Sequence, residues 1–212
     1  MANLDFIYKR KSIRKFTDET ISNDDIKTLI KAATQAPSGK NLQNWHFVVI
    51  KDKEKINAIA EIVEKKNSKL ASYLDSEKDK KSLTKFLKYH TIFKNAPILI
   101  LLYAGPYIPA GLKALKAKGA SKEEIHDLLK PSPGIQNIAA AMENLHLAAT
   151  SMGYGSCWMT GPLYAKKEIT DFIGFNKKDY FLAAITPLGI PTSTEIKKPP
   201  RKPIEEVLTI IE

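Results

Sequence analysis

The chain has 212 residues, of which 43% are hydrophobic and 26% are charged, and this composition excludes a disordered or fibrous protein. The length predicts a single domain, 1–212, with its own core, and the lone cysteine, Cys157, excludes an intrachain disulfide. The formal net charge is +10, but the basic excess is spread along the chain, whereas a nucleic-acid-binding surface would concentrate it. We therefore expect no nucleic-acid partner.

Apolar runs and histidine spacing predict neither a membrane segment nor a metal site. The longest strongly apolar run, residues 98–104, is far shorter than the roughly 20 residues that span a bilayer. The first residues have no apolar segment behind their charges, which argues against a signal peptide. The four histidines lie far apart, and none has a metal-ligating spacing. These patterns predict a cytoplasmic protein with no metal and no membrane partner.

Helical and strand patterns alternate irregularly in the first half of the chain. Ser22 and Asp25 have the spacing of a helix-capping pair, and Pro37 ends the helical pattern that follows them. Hydrophobic periodicity then predicts, in chain order, a polar loop over 36–45, a buried strand over 46–51, a helix over 52–66, a helix around 83–90 and an apolar strand over 98–103. Residues 67–81 show no clear pattern.

A long apolar helix dominates the second half of the chain. Ser121 and Glu124 form a second capping pair, and Pro133 opens a helix rich in alanine that Gly153 ends. Beyond it the pattern predicts a strand over 156–159, a helix over 166–173 that Gly174 ends, a strand over 180–188 and an extended tail with a strand over 207–211. Long helices between few strands indicate an α+β fold rather than a doubly wound sheet.

Three arginines stand out because lysine supplies all the other basic side chains. Arg10, Arg14 and Arg201 can each present a planar pair of donors to a phosphate or carboxylate, which lysine cannot. If the first pair lies on an extended segment, Arg10, Ser12 and Arg14 share one face and form an anion cradle. Prolines hold residues 197–203 extended around the third arginine. The alternatives are a solvated basic segment, a solvated tail and a chance distribution.

Two further segments carry groups that suit a bound ligand. In residues 37–45 (PSGKNLQNW), Ser38, Asn41 and Gln43 offer donors and acceptors that suit the edge of a heterocycle. Glycines within residues 153–161 (GYGSCWMTG) let backbone N–H groups approach a ligand closely. The alternatives are a helix-to-strand loop for the first segment and a buried strand with turn glycines for the second.

Four segments of the chain share the order and spacing of one known pattern. They are RKSIRKF at 10–16, APSGKNLQNWHFVVI at 36–50, IAAAMENLHLAATSMGYGSCWMTGP at 138–162 and RKPIEEV at 201–207. Together they resemble the FMN-dependent nitroreductase family over almost the whole chain. Asn44 departs from the pattern, because many members have proline before the tryptophan. The resemblance implies a nitroreductase-like α+β fold with a central, mostly antiparallel sheet flanked by helices.

The resemblance also implies an FMN cofactor bound between the subunits of a domain-swapped homodimer. The tail, about 191–212, would extend onto the partner subunit, and the loop around Ser38 would reach the partner's flavin. No side chain is assigned a certain catalytic role, and Arg14 would give electrostatic support at the pyrimidine edge of the ring. By position, the implied flavin-binding residues are Arg10, Lys11, Ser12, Arg14, Pro37, Ser38, Gly39, Asn41, Gln43, Met159, Thr160, Gly161, Lys198 and Arg201.

The function implied by the resemblance is that of an FMN-dependent NAD(P)H oxidoreductase, an enzyme that reduces nitroaromatic, quinone or similar electron-poor acceptors. NADH or NADPH would deliver hydride to flavin N5 and leave before the acceptor binds, because the sequence shows no second nucleotide-binding motif. This order predicts ping-pong kinetics. The alternatives are a non-catalytic flavin-binding sensor or store, dehalogenation or enone reduction on the same fold, and a basic nucleic-acid-binding module.

Overall fold

A four-stranded antiparallel sheet forms the centre of the computed structural model, which describes residues 4–193 and 199–212. In these residues the strands are β1 (Trp45–Ile50), β2 (Ile98–Ala104), β3 (Gly155–Ser156) and β4 (Phe181–Gly189), in the order β1-β2-β4-β3. Strand β2 pairs with both β1 and β4, and all of its residues are buried. The apolar run of the sequence therefore occupies the middle of the sheet, and the predicted α+β class is confirmed.

Helices cover both faces of this sheet and connect its strands. The described α-helices are α1 (Asp5–Lys9), α2 (Asn23–Ala33), α3 (Lys53–Ala71), α4 (Glu77–Lys85), α5 (Leu87–His90), α6 (Leu112–Ala117), α7 (Lys122–Leu129), α8 (Pro133–Ser151) and α9 (Lys166–Ile173). Short 3-10 helices are formed by Gly39–Asn41, Ile92–Asn95, Gly161–Ala165 and Ile204–Glu206. Helix α4 buries none of its side chains, so it has no hydrophobic pattern by which a sequence could reveal it.

Alternate residues of β2 point into two separate cores. Ile98 and Ile100 pack with Leu145 of α8 and with residues of α2 on one face of the sheet. Leu99 and Leu101 pack with residues of α3 and α9 on the other face. This alternation is the two-residue period of a strand covered on both sides. It fixes α8 against one face of the sheet and α3 against the other.

Capping residues define several helix ends where the sequence predicted them. The Ser22 hydroxyl accepts a hydrogen bond from the backbone N–H of Asp25 at 3.0 Å, which starts α2. Ser121 and Glu124 form a reciprocal capping box at the start of α7. Gly174 follows α9 with a φ of 70°, a conformation that glycine adopts without strain. These predictions are confirmed.

The C-terminal tail differs from its prediction. The strand predicted over 207–211 is wrong, because the chain forms a short 3-10 helix, Ile204–Glu206, and then no regular structure. A strand needs a neighbour for its backbone groups, and the segment 199–212 pairs with none. Its apolar side chains are exposed, and Ile211 reaches 92%. Within residues 4–193 and 199–212, no helix combines the length and apolarity needed to cross a membrane.

Candidate functional site

The segment between α1 and α2 runs extended beside β3, which sorts its side chains onto two faces. Ser12 forms a parallel bridge with Ser156, and the next backbone N–H donates to the Ser156 carbonyl at 2.9 Å. Successive side chains of an extended segment point in opposite directions. Arg10, Ser12 and Arg14 accordingly all lie near the thiol of Cys157. The shared face predicted for these three residues is confirmed.

Cys157 shows that this face is positively charged. Burial raises the pKa of its thiol, while Arg14, a hydrogen bond with Ser12 and Arg10 act in the opposite direction. Arg10 is partly buried, and its Nε lies 3.7 Å from Oε1 of Glu143. Arg14 is exposed, and its Nη1 donates to the Ser12 carbonyl at 3.3 Å. Two guanidinium groups on one side of an extended segment are able to bind an anion.

Lys11 lies apart from this pair of arginines. It lines a cavity of about 240 Å³ on the opposite side of the segment, together with Ile13 and Tyr154. Because Lys11 and Arg14 line different cavities, the structure divides the basic motif that the sequence had treated as one unit.

A larger cavity lies beside Arg14, and we call it the Arg14 cavity. It has a volume of about 350 Å³, within the range of roughly 300–1,000 Å³ typical of small-molecule sites. Its described lining residues are Arg14, Phe86, Tyr89, His90, Ile92, Cys157, Trp158, Met159, Thr160, Gly161 and Pro162. These lining residues include no carboxylate. Arg14 therefore sets the charge of the cavity.

The chain after β3 supplies backbone donors to the Arg14 cavity. Met159 exchanges backbone hydrogen bonds of 2.9 and 3.0 Å with Ile185 of β4, so its N–H is already used. The next two residues, Thr160 and Gly161, lie beyond this pairing, and within the described residues their N–H groups make no backbone hydrogen bond. Of the three residues predicted here, the latter two therefore keep donors for a ligand.

Helix α5 and the residue before it form an aromatic wall of the Arg14 cavity. Phe86 and Tyr89 are each 49% exposed, and their ring centroids lie 6.4 Å apart. The sequence predicted a helix here but no site. Phe86, Tyr89 and His90 have the i, i+3, i+4 spacing that places side chains on one helical face, which was the available signal. Their approach to the cavity depends on the packing of α5 against α3 and Gly161–Ala165.

His90 is the titratable side chain of this wall. Its Nδ1 is buried and has no hydrogen-bond partner among the described residues. Burial lowers the pKa of the imidazole, so His90 is neutral near pH 7. Its ring centroid lies 5.6 Å from that of Tyr164. A Cβ added to Gly161 would fall 2.6 Å from His90 Nε2, which shows how closely the imidazole approaches the chain after β3.

His146 supports the chain after β3 from behind. This residue of α8 is buried, and its Nδ1 lies 2.5 Å from the Ser156 hydroxyl. Its ring stacks on Trp158 with centroids 6.0 Å apart. Burial, with a smaller effect from Arg10, lowers the pKa of His146 to about 4. The imidazole is therefore neutral and acts as a rigid support rather than as a charge.

The loop of residues 37–43 is held in a strained conformation. Lys40, Asn41 and Gln43 have φ values of 60°, 49° and 46°, in the left-handed region that residues with a Cβ rarely adopt. The Ser38 hydroxyl accepts from the Gln43 N–H at 3.0 Å, and Gln43 Nε2 donates to Asn41 Oδ1 at 3.2 Å. Strained loops that side chains hold in place are common at binding sites.

Two buried asparagines anchor this loop, and the sequence did not reveal them as a pair. Asn44 Nδ2 donates to the carbonyls of Gly105 at 3.1 Å and Gly134 at 3.3 Å. Asn137 Nδ2 donates to Asn44 Oδ1 at 2.8 Å, and Asn137 Oδ1 accepts from the Gly39 N–H at 3.0 Å. Asn44 was noted only as a departure from the family pattern, and Asn137 gave no signal because its partner is distant in sequence.

The loop of residues 37–43 and the face formed by Arg10, Ser12 and Arg14 (the arginine face) contact different parts of α8. Asn137, which holds the loop, and Glu143, which faces Arg10, are separated by roughly 9 Å along the helix axis. No residue of 37–43 is among the described residues that line the Arg14 cavity. Within one chain the structure therefore groups the loop residues with one another but not with Arg14. The group consists of Pro37, Ser38, Gly39, Asn41 and Gln43.

Arg201, in the described part of the tail, stands apart from both groups. Arg201 is exposed and does not line the Arg14 cavity. Lys198 lies outside the described residues. The structure therefore leaves the predicted tail contacts with a ligand untested.

An antiparallel sheet covered by helices, with a basic cavity beside β3, defines a small-molecule-binding α+β protein. The profile of the nitroreductase family matches residues 7–190. The chain belongs to this family. Its membership supports an FMN-dependent oxidoreductase.

Similar proteins fit this assignment. A BluB-like flavoprotein from Clostridium difficile 630 superposes with a TM-score of 0.94, 42% identity and 100% coverage of both chains. A nitroreductase with bound FMN from Bacteroides fragilis NCTC 9343 superposes with a TM-score of 0.70, 20% identity and 100% coverage of both chains, which shows a shared fold. Iodotyrosine deiodinase from Hydra vulgaris is 26% identical over 204 residues, which cover 94% of this chain and 69% of that protein.

Proposed function

We propose that the chain is an FMN-dependent NAD(P)H oxidoreductase whose flavin ring lies in the Arg14 cavity. The observation that carries this proposal is the positive charge of the cavity. Arg14 lines it together with the neutral His90, and the described lining residues include no carboxylate. The backbone N–H groups of Thr160 and Gly161 add neutral donors. A planar ring with a polar edge and an anionic tail fits this set of donors. The likeness to a flavoprotein at 42% identity supports the same ligand.

Each side chain of the arginine face has a separate part in this proposal. Arg10 and Ser12 would bind the phosphate end of FMN, and Glu143 would orient the Arg10 guanidinium from 3.7 Å. Arg14 would lie at the pyrimidine edge of the ring. Bound FMN would supply the hydride chemistry that no side chain provides. The positive charge of Arg14 would favour the more negative redox state of the site and so raise its reduction potential.

We further propose that two copies of the chain complete each site. The loop of residues 37–43 is rigid but does not line its own chain's Arg14 cavity, so we infer that it serves the cavity of a partner. The tail supports a dimer because its exposed apolar side chains would be covered by a second copy. Lys198 and Arg201 would then contribute at the phosphate end, whereas Lys11 lines a different cavity. The resulting arrangement is a homodimer with an exchanged tail.

A hybrid dimer tests the shared site. Arg14→Ala removes a group from the cavity, and Asn41→Gly removes a loop side chain without penalising the positive φ. If the loop serves the partner, each hybrid dimer has one site with both substitutions and one site with neither. Unfolding and refolding an equimolar mixture should then restore about a quarter of the wild-type sites, because about half of the dimers are hybrids. No recovery above the separate variants would show that the loop serves its own chain.

The electron donor, NADH or NADPH, would bind in this cavity first. The acceptor, a nitroaromatic compound or a quinone, would bind there after the donor has left. With the flavin ring in place, a cavity of about 350 Å³ has too little room left for a dinucleotide and an acceptor together, so we propose that the donor leaves first. Initial rates measured under nitrogen with NADH or NADPH and menadione should give parallel double-reciprocal lines. Intersecting lines would show a ternary complex and reject this order.

Reductive dehalogenation is a second candidate for the same site. Iodotyrosine deiodinase from Hydra vulgaris aligns with 94% of the chain, which favours dehalogenation over enone reduction. Dithionite-reduced protein should then release iodide from 3-iodotyrosine under nitrogen, and a protein that reduces menadione but releases no iodide would exclude it. A flavin sensor or store would instead be reduced by NAD(P)H and show no fast turnover with any acceptor, enones included.

A further inference from the structure

Among the described residues that line the Arg14 cavity, His90 has a buried side-chain nitrogen, Nδ1, without a hydrogen-bond partner. Its ring is held between Tyr164, with centroids 5.6 Å apart, and Gly161. Tyr164 makes no hydrogen bond with Nδ1 of this ring, and its own hydroxyl donates to the Val63 carbonyl at 3.4 Å. The imidazole is therefore positioned by packing, and its hydrogen-bonding capacity is left for a ligand.

The surroundings of His90 determine which nitrogen carries the proton. A buried N–H without an acceptor is rarer and more costly than a buried acceptor without a donor. Since Nδ1 is buried and has no partner in the described chain, the proton belongs on Nε2. The charged imidazole, with N–H groups at both positions, is disfavoured by the same burial. The neutral ring consequently presents one donor, Nε2–H, beside Gly161.

The rest of the wall indicates the shape of the ligand. Phe86 and Tyr89 line the cavity and are each about half exposed, and aromatic side chains bind flat rings well. The described lining lacks a carboxylate that could accept a hydrogen bond from a cationic ligand. A flat aromatic compound that carries an oxygen acceptor matches both features.

We propose that the Nε2–H of His90 donates the hydrogen bond that holds a carbonyl, nitro or quinone oxygen of a flat aromatic acceptor in the Arg14 cavity. This proposal rests on the proposed function and names the residue that selects its acceptor. His90 here binds and orients the acceptor, and no proton is transferred from it. A hydrogen bond to a neutral ligand corresponds to about a three- to tenfold preference over an analogue without the oxygen.

Ligand binding without any electron donor tests the proposal independently of turnover. Oxidised holoprotein is titrated by calorimetry with acetophenone and with α-methylstyrene, which has the same shape but a methylene group in place of the oxygen. The wild type should bind acetophenone about three- to tenfold more tightly. His90→Phe keeps an aromatic ring without the donor, and its preference should fall to about one. Equal binding of the two compounds by the wild type would overturn the proposal.

Two amide variants keep the test decisive if His90→Phe does not fold. Glutamine places its amide nitrogen near the position of imidazole Nε2, whereas asparagine places it near Nδ1. His90→Gln should therefore retain the preference for acetophenone, and His90→Asn should lose it. His126→Gln on the exposed face of α7 is the matched control and should behave as the wild type. An undiminished preference in His90→Phe or His90→Asn would show that another group binds the oxygen.

The proposed function can fail separately from this assignment. A holoprotein that NADH and NADPH do not reduce contradicts the proposed function, whatever the ratio of the two binding constants. A holoprotein that turns over while His90→Phe retains the wild-type ratio contradicts the role of His90 alone.

Discussion

Asn137 in α8 donates a hydrogen bond to Oδ1 of Asn44 at 2.8 Å, which ties the long helix to the residue that precedes β1. Both side chains are buried, and together they also bind the backbone of Gly39, Gly105 and Gly134. Removing one partner of a buried hydrogen bond leaves the other unsatisfied, which costs more than replacing both partners with apolar groups. This pair therefore connects the conformation of the 37–43 loop to the core.

Asn137→Ala should destabilise the protein by about 1–3 kcal/mol, because it leaves the Gly39 N–H and Asn44 Oδ1 without partners. It should also weaken FMN binding, because the loop would lose its anchor. Urea unfolding and fluorescence titration of FMN measure the two effects. Asn57→Ala, on the exposed surface of α3, is the control and should change neither. A stable variant with normal FMN affinity would contradict the anchoring role of the pair.

Arg14→Ala should weaken FMN binding about tenfold and lower the reduction potential, because the positive charge favours the more negative redox state. A differential loss of about 1.4 kcal/mol corresponds to roughly 30 mV for a two-electron couple. Arg14→Lys should have an FMN affinity and a reduction potential between those of Arg14→Ala and the wild type, since lysine keeps the charge but not the planar pair of donors. Titration and dye-coupled potentiometry measure these changes.

Lys15→Ala is the matched charge control for Arg14→Ala. Lys15 is exposed and lies next in the chain, but it does not line the Arg14 cavity. Its substitution should leave both the potential and the FMN affinity near the wild-type values. If Arg14→Ala keeps the wild-type potential, the electrostatic role of Arg14 is rejected.

Gly161→Ala should destabilise the protein by about 1–3 kcal/mol, because the new Cβ would fall 2.6 Å from His90 Nε2. The same substitution in a His90→Ala background should cost much less, since the imidazole is no longer there. Thermal or urea unfolding of all four proteins gives the coupling energy, expected at about 1–2 kcal/mol. An equal penalty in both backgrounds would mean that the two residues do not meet.

The stability of the protein should depend on pH through His146. Burial lowers its pKa to about 4 in the folded protein, from 6.5 for an unperturbed histidine. Between these values the unfolded chain binds more protons, so stability is retained above pH 6.5 and decreases as the pH falls towards 4. The loss contributed by this residue approaches about 3 kcal/mol near pH 4.

Urea unfolding at several pH values between 5 and 7 measures this contribution. His146→Gln should flatten the dependence, because glutamine does not titrate. Asn57→Ala, which removes no titratable group from the exposed surface of α3, should leave it unchanged. A His146→Gln protein with the wild-type pH dependence would show that another group is responsible.

Local signals in the sequence predicted much of the fold. The apolar run of β2, the caps of α2 and α7 and the glycine after α9 each act within a few residues, so a single sequence shows them. Helix α4 was predicted only at its last residues, within the helix expected around 83–90, because none of its side chains is buried. The tail strand was predicted from an apolar pattern, but a strand also requires a neighbour, which the pattern does not specify.

The candidate site was likewise predicted only in part from the sequence. The shared face of Arg10, Ser12 and Arg14 follows from strand alternation, and the structure bears it out. The places of His90 and Asn137 follow from contacts between residues far apart in the chain, so periodicity could not reveal them. Binding of FMN by these residues and assembly into a homodimer remain predictions.

The visible spectrum of the purified protein tests the central claim most directly. It is recorded under nitrogen before and after addition of NADH and, on a second sample, NADPH. We predict a yellow protein that at least one of the two donors bleaches, and whose chromophore, once released by denaturation, is FMN. A colourless protein that stays colourless after incubation with FMN and gel filtration would contradict a flavin site in the Arg14 cavity.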